Sequence, residues 1–391
     1  MLQEWLIEIG KGIGKLFVNP LFYWAIIFII LSGIKRIKEE RKYFGTKVFD
    51  ILFEWKDTWS FSILIGIVYS ILIVGFGMVF TYETILILSV VMILLSLSFR
   101  FSFLSPSYTI GITYVVLLII SSYPEYFRFL QMDGEVNFIG LAILGGLFLF
   151  VEAHFINRVK RNGTFPTLVK GKRGGWVGKH FIKKTAIIPV FLLVPTGLIE
   201  PFASYWPYLS FGDEHYALIL FPFLLGIEHG IRGGLPHKVA QKLSMSMLGL
   251  AMVVFGIAVG SIFIPALSSV SIMVAIVGRE WINYRERVKD LQKSPFFNHT
   301  NDGLRVLGII PGSPADRLNI LIGETISKVN GIKIQSEEEL YEALQQTGSF
   351  FKMELFDLDG EIRFVQSAMY EGDHHELGLI FAGEPYRKLN K

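Results

Sequence analysis

The sequence predicts a polytopic α-helical membrane domain of about six to nine spans followed by a small α+β domain. Three observations carry this. The 391 residues are 52% hydrophobic and 14% aromatic with a mean hydropathy of +0.48, well above a soluble globular protein of this length. Nearly all long apolar runs precede residue 279, whereas residues 291–391 mix charge, turn residues and short apolar stretches. The formal charge of +3 is also unevenly divided: the last 101 residues hold 15 Asp or Glu against 10 Lys or Arg, so the membrane part is the basic half. The expected division is a transmembrane domain over 1–279, a juxtamembrane linker over 280–300 and a soluble domain over 301–385.

A bilayer core of about 30 Å needs roughly 20 mostly apolar residues per helix. On that ruler candidate spans fall near 16–34, 61–80, 84–104, 107–122, 137–156, 185–199, 215–227, 245–263 and 265–278. The sixth, seventh and ninth are short, so re-entrant or interfacial alternatives stay open for them. No small-residue cleavage site follows LFYWAIIFII, which is expected to be a retained span. Lys and Arg collect on the cytoplasmic side. KRIKEERKYFGTK (35–47) has six basic residues, and 157–184 has nine and no acid, whereas EPFASYWPYLSFGDEH (200–215) has three acids and no base. The two basic loops are expected inside and the acidic loop outside. The basic GREWINYRERVKD then places the C-terminal domain in the cytoplasm. Nine spans leave the N-terminus outside, and one fewer leaves it inside.

Charged residues within spans are functional candidates. Glu152 and His154 close one span and Glu228 and His229 another; the alternatives are a shared metal or proton site and solvated interfacial pairs. Gly256 and Gly260 form a GxxxG suited to close helix approach within the chain or between copies of a homo-oligomer. Phe165, Trp176 and Phe181 among the basic residues of 157–184 suit contact with anionic lipid, the alternative being a plain topology signal. Nucleic acid is not expected, because positive-inside bias already explains the charge. Cysteine is absent, which excludes disulfides, thiolate metal sites and a cysteine nucleophile.

From Leu304 the text turns β: LRVLGII, the turn PGSPADRLN, then TISKVNGIKI with the hairpin signal Asn330-Gly331. SEEELYEALQQTG (336–348) has a Ser cap, an acidic first turn and Leu340 and Leu344 at helical spacing. FFKMELFDLDGEIRFVQ gives two alternating strands joined at Asp359-Gly360, and HHELGLIF supplies a last strand. These residues resemble a PDZ domain over 303 to about 383, with GSPADRLNI at the strand-to-helix corner, ISKVNGIKI as the next strand and EEELYEALQQTG as the groove helix. A usual PDZ domain places its carboxylate loop and groove strand before LRVLGII; here HHELGLIF fits that role at the other end, so the domain resembles a circularly permuted PDZ. The resemblance implies a peptide groove made of Glu376, Leu377, Gly378, Leu379, Ile380 and Phe381, faced by Glu337, Tyr341 and Leu344. The N–H groups of Leu377, Gly378 and Leu379 are expected to receive a C-terminal carboxylate, and strand 379–382 to pair with the ligand. His374 and His375 beside the loop are either a pH-sensitive or metal-binding pair or simple polar turn residues.

No H-E-x-x-H, G-x-S-G, Walker A loop or dinucleotide fingerprint occurs, so no enzyme, cofactor or metal is expected. A PDZ-containing transporter, suggested by IPVFLLVPTG and LFPFLLGIEHG, and a regulator of membrane proteolysis are the alternatives to an adaptor. NPLFYW opening the first span, the basic KRGGWVGKH loop and the C-terminal PDZ domain resemble the MinJ family of division-site topological factors. That resemblance implies a multi-pass protein at septa and poles that bridges a DivIVA-like polar protein to a MinD-like membrane ATPase, carrier of the inhibitor MinC, among other division proteins.

Overall fold

The computed structural model describes residues 2–126, 135–172, 174–203, 206–208, 215–298, 300, 302–346, 350–368 and 377–387. The chain begins with the amphipathic helix α1 (Leu2–Leu16). Asn19 then caps α2 (Pro20–Phe44) by accepting from the Leu21 N–H, Pro20 occupies the first turn, and Gly45 ends it at φ +77. A single turn, α3 (Phe53–Lys56), leads to α4 (Trp59–Gly75), α5 (Tyr82–Ser96) and α6 (Pro106–Ser122). Asn137 caps α7 (Phe138–Asn157), which is apolar all round because it is packed on every side; its most apolar 18 residues are 83% buried. Among the described residues α2, α7 and α8 (Pro236–Gly260) are long and apolar enough to cross a membrane, and α4, α5 and α6 are shorter apolar helices. The long helix α9 (Leu267–Gln292) runs through residue 279 without a break.

Two expected helical spans are corrected. Residues 185–199 and 215–227 form strands, not helices: β1 (Phe165–Lys170), β2 (Trp176–Ile199) and β3 (Tyr216–Ile231) make an antiparallel sheet in the order β1-β2-β3. Pro189 and Pro222 sit opposite each other in the β2–β3 register, and neither is tolerated in a helix interior.

An unpaired strand edge leaves N–H and C=O groups to satisfy, so the length of β2 beyond its pairing with β1 needs partners on that side. Helix α4 and the turn after it supply them. Thr58 Oγ1 donates to the Thr185 carbonyl at 2.7 Å, the Phe191 N–H donates to Ser70 Oγ at 2.8 Å, and the Phe80 N–H donates to the Leu193 carbonyl at 2.8 Å. Pro189 has the same parity as Phe191, and so faces this edge a nitrogen with no donor to satisfy. Gly66 lets α4 close on it, since a β-carbon there would collide with the Pro189 carbonyl.

The C-terminal region is sheet-rich: β4 (Leu304–Ile309), α10 (Pro314–Arg317), β5 (Thr325–Val329), β6 (Ile332–Lys333), α11 (Glu337–Gln345), β7 (Phe350–Phe356), β8 (Ile362–Ala368) and β9 (Leu379–Phe381). The strand order is β8-β7-β5-β4-β9, with β6 beside β5. Asn330 and Gly331, at φ +52 and +85, turn β5 into β6 as a hairpin of opposite twist to the common turns requires. Val306, Ile326, Leu340, Phe351 and Leu355 are central to the core.

A further buried cluster joins the two halves. Phe165 and Leu168 of β1 and Val48 and Phe49 meet Phe297, Leu307, Ile322 and Ile380. The Gly178 N–H donates to the Phe297 carbonyl at 2.8 Å, and Asn162 bridges the Ile320 carbonyl (3.0 Å) and the Ile322 N–H (3.1 Å). The basic 157–184 stretch is therefore the platform on which the sheet-rich region docks, and Phe165, Trp176 and Phe181 pack into that contact.

Candidate peptide groove

The edge strand β9 runs antiparallel to β4, with Val306 opposite Phe381, Gly308 opposite Ile380 and Ile309 opposite Leu379. Period-two alternation sends Leu379 and Phe381 into the domain core and Ile380 into the contact with the N-terminal half. Gly378 precedes the strand at φ +75, a left-handed conformation that favours glycine, and a β-carbon there would collide with Ser313. The turn is tied to the strand-to-helix corner: the Ile310 N–H donates to the Gly378 carbonyl at 2.9 Å and the Ala315 N–H to the Leu377 carbonyl at 3.0 Å. A trans peptide holds its C=O and N–H antiparallel. The N–H groups of Gly378 and Leu379 consequently point away from that corner, the disposition that a carboxylate-binding nest uses.

A cavity of about 180 Å³ lies along β9, with Glu337, Tyr341 and Ile310 beside Gly378–Phe381. Glu337 and Tyr341, four residues apart, share the helix stripe that lines the cavity. Leu344 belongs with Leu340 to the adjacent stripe and is buried in the domain core, away from the cavity. Leu377 is likewise a core residue. Glu376, His374 and His375 lie outside the described residues.

Sequence reasoning missed the opposite wall, which comes from Tyr43, Phe44 and Thr46 at the end of α2 and from Tyr386. After β9 the chain crosses to α2, where the Tyr386 N–H donates to the Tyr43 carbonyl at 2.9 Å and the Arg387 N–H to the Lys42 carbonyl at 3.2 Å. The Tyr386 ring covers Gly45. No local pattern signals this wall, since it is made by residues more than 330 positions apart.

The charged residues of the N-terminal half that the sequence singled out take separate partners. Glu152 is fully buried in an ion pair with Arg279 at 2.8 Å and accepts from Ser105 Oγ at 2.6 Å, tying α7 to α9. His154 stacks on Phe61, centroids 4.1 Å apart. Glu228 accepts from the Phe101 N–H at 3.0 Å and faces Lys183 at 3.7 Å. Among the described residues no three His, Cys, Asp or Glu side chains group to hold a metal ion. Among the described residues nothing lies within 4 Å of where a β-carbon on Gly256 would sit; Gly146 of α7 instead makes the close contact with α8, at Phe255.

A PDZ domain family matches residues 305–353, from β4 into β7, and stops short of β9. The chain is 33% identical over 387 residues to the "Cell division topological determinant MinJ" of Bacillus subtilis (strain 168), a match covering 97% of this chain and 96% of that protein. It is 24% identical over 263 residues to the "Probable cell division topological determinant MinJ" of Lacticaseibacillus paracasei, covering 64% of this chain and 67% of that one, and matches the Lacticaseibacillus casei (strain BD-II) protein of the same name to the same extent.

Proposed function

The chain belongs to the MinJ family of cell division topological determinants, and from that premise we propose that it is a non-enzymatic, membrane-anchored adaptor whose PDZ groove recruits division proteins to the membrane. The observation that carries the reading is the groove itself: an edge strand, a glycine turn with outward N–H groups and a facing helix, held against an apolar multi-helix body. Edge strands of this kind bind extended peptides by strand addition, with side-chain pockets setting preference. The domain is a circularly permuted PDZ, a reading supported by the position of β9, last in the chain and next to β4 in the sheet. Glu337 at the cavity favours a ligand that carries a basic or hydroxyl group there. By analogy with the family, the recruited partners are a DivIVA-like polar protein and a MinD-like ATPase, and the protein concentrates at septa and poles.

Nine crossings account for the membrane half: α2, α4, α5, α6, α7, α8 and α9 as helices, and β2 and β3 as a hairpin shielded by them. Non-helical backbone at membrane depth is tolerated where protein surrounds it, and the sealed edge of β2 meets that condition. The N-terminus lies outside in this arrangement. Trp5 of α1 packs on Phe202 and Trp206 of the acidic 200–215 stretch, centroids 6.4 and 6.2 Å away, at the end opposite the basic loops.

The test is imaging of a full-length fluorescent fusion in cells depleted of the native protein, together with Glu337→Lys and Gly378→Ala variants. Septal and polar enrichment, filaments or minicells on depletion, and variants that insert normally yet lose partner recruitment several-fold are expected. Glu337 is exposed, so its variant keeps the fold even where Gly378→Ala does not. Uniform membrane signal with normal division would remove the adaptor reading. Full recruitment by Glu337→Lys at normal protein level would remove the groove from it.

A further inference from the structure

Beside α2 lies a groove of about 1050 Å³ that the adaptor reading does not use. One wall is a stripe of α2, with Ile30, Ile34, Lys38 and Arg41 at positions i, i+4, i+8 and i+11 on one helical face. The other wall is the returning segment 47–59. That segment is fixed in place. Gly33 lets it approach, because a β-carbon there would collide with the Ile51 carbonyl. Arg36, on the buried face of α2, pairs with Glu40 at 2.6 Å and Glu54 at 2.7 Å, and donates to the Asp50 carbonyl at 2.6 Å. The groove is thus preformed.

Its chemistry changes along its length. Toward the middle of α2 it is apolar: Ile30, Ile34, Ile51, Leu52 and Trp59 are each 37 to 52% exposed. Toward the basic end of α2 it carries Lys38, Arg41, Lys47 and Lys56 against one carboxylate, Asp50, which Lys47 already holds at 3.0 Å. Among the described residues Lys38, Arg41 and Lys56 make no ion pair, and the lining residue Trp55 has an indole N–H with no hydrogen-bond partner. A soluble anion would leave the apolar length uncovered, and a zwitterionic headgroup would leave the cations unmatched. A molecule with an anionic phosphodiester at one end and an acyl chain at the other matches both.

We propose that this groove binds one anionic phospholipid, with its phosphate among Lys38, Arg41 and Lys56 and one acyl chain along Ile30, Ile34, Ile51 and Trp59. The proposal rests on the reading of α2 as a span whose basic end is cytoplasmic. The bound lipid would stiffen the end of α2 whose next turn, Tyr43 and Phe44, forms the far wall of the peptide groove.

The test uses full-length protein reconstituted in phosphatidylcholine nanodiscs doped with phosphatidylglycerol, with retained lipid counted by native mass spectrometry after release. The wild type is expected to keep one phosphatidylglycerol. A Lys38→Gln, Arg41→Gln, Lys56→Gln variant, changed only at exposed positions, is expected to lose at least tenfold in retention, whereas Lys170→Gln, Lys172→Gln is expected to retain it. Retention that is equal in the triple variant, equal for phosphatidylcholine, or abolished by inorganic phosphate would overturn the lipid site. Failure of the wild type to insert would overturn the membrane reading and the site together, an outcome distinct from insertion without lipid preference.

Discussion

Among the described residues the molecule has two sheets, and their edges are treated in opposite ways. In the N-terminal half the outer edge of β2 is closed by α4: Thr58, Ser70 and the Phe80 N–H take up its polar groups, and Pro189 removes one donor. In the PDZ region β9 is left as the last strand of its sheet, beside a cavity. The same backbone chemistry serves two ends. An edge must be satisfied by its own protein where water is absent, and can be offered to a partner where water holds the place until the partner arrives. Helix α4 closes the first edge from within the chain; β9 ends its sheet beside a cavity, the arrangement on which the proposed peptide groove rests.

The sharpest way to break this comparison is to pry open the closed edge. Gly66→Leu puts a side chain where the β-carbon alone collides with the Pro189 carbonyl, so α4 must move off β2 and the three edge contacts go with it. Overpacking alone costs about 1–3 kcal/mol, and each buried polar group left unmet adds about 1–3 kcal/mol. The expected outcome is loss of most folded protein from the membrane fraction, measured by immunoblot and by thermal unfolding in detergent. Normal accumulation and an unchanged melting temperature would mean that α4 does not seal the hairpin.

A smaller effect tests the joint between the two sheets. His180, in the part of β2 that pairs with β1, is fully buried with Nδ1 2.9 Å from Thr164 Oγ1 and its ring against Phe297, centroids 4.6 Å apart. Burial pushes its pKa from the usual 6.5 down to about 3. The unfolded chain takes up a proton below pH 6.5 that the folded chain refuses. The stability from this group is therefore complete above about pH 6.5 and is lost as pH falls toward 3. At pH 5 the loss is about 2 kcal/mol. Unfolding in detergent at pH 7 and pH 5 should show His180→Gln with a shallower pH dependence than the wild type. Parallel pH profiles would show that protonation of this residue is not resisted.

Much of the larger plan was legible in the sequence. The apolar runs and the charge asymmetry marked out the helical half, and Gly378 between two leucines marked a turn opening onto a strand. Residues 185–199 and 215–227 were misread because an apolar run buried on all sides has no period, so a strand and a helix look alike in it; Pro189, Pro195 and Pro222 were taken as interruptions of helices when they argued against helices altogether. Leu344 was assigned to the groove by the PDZ resemblance; a helix places 340 and 344 on one stripe and 337 and 341 on the next, and only packing decides which stripe meets the core. Tyr43, Phe44 and Tyr386 could not be found at all, since their place depends on the docking of the two halves.

The smallest expected effect isolates a single edge contact. Ser70 Oγ accepts from the Phe191 N–H at 2.8 Å and donates to the Gly66 carbonyl at 2.6 Å within its own helix. Ser70→Ala keeps the helix and its close approach to β2 but leaves the Phe191 N–H without an acceptor. A buried donor stranded in this way costs about 1 kcal/mol, and hydrogen bonds inside membrane proteins fall in the same range, so the melting temperature should drop by only a few degrees. The informative readout is amide exchange at Phe191, compared with neighbours in β2 whose N–H groups bond across to β3. Faster exchange at Phe191 alone would show that the edge is sealed residue by residue. Uniform acceleration along β2 would mean that the seal is cooperative, and no change would mean that exclusion of solvent by α4 protects this edge without the hydrogen bond.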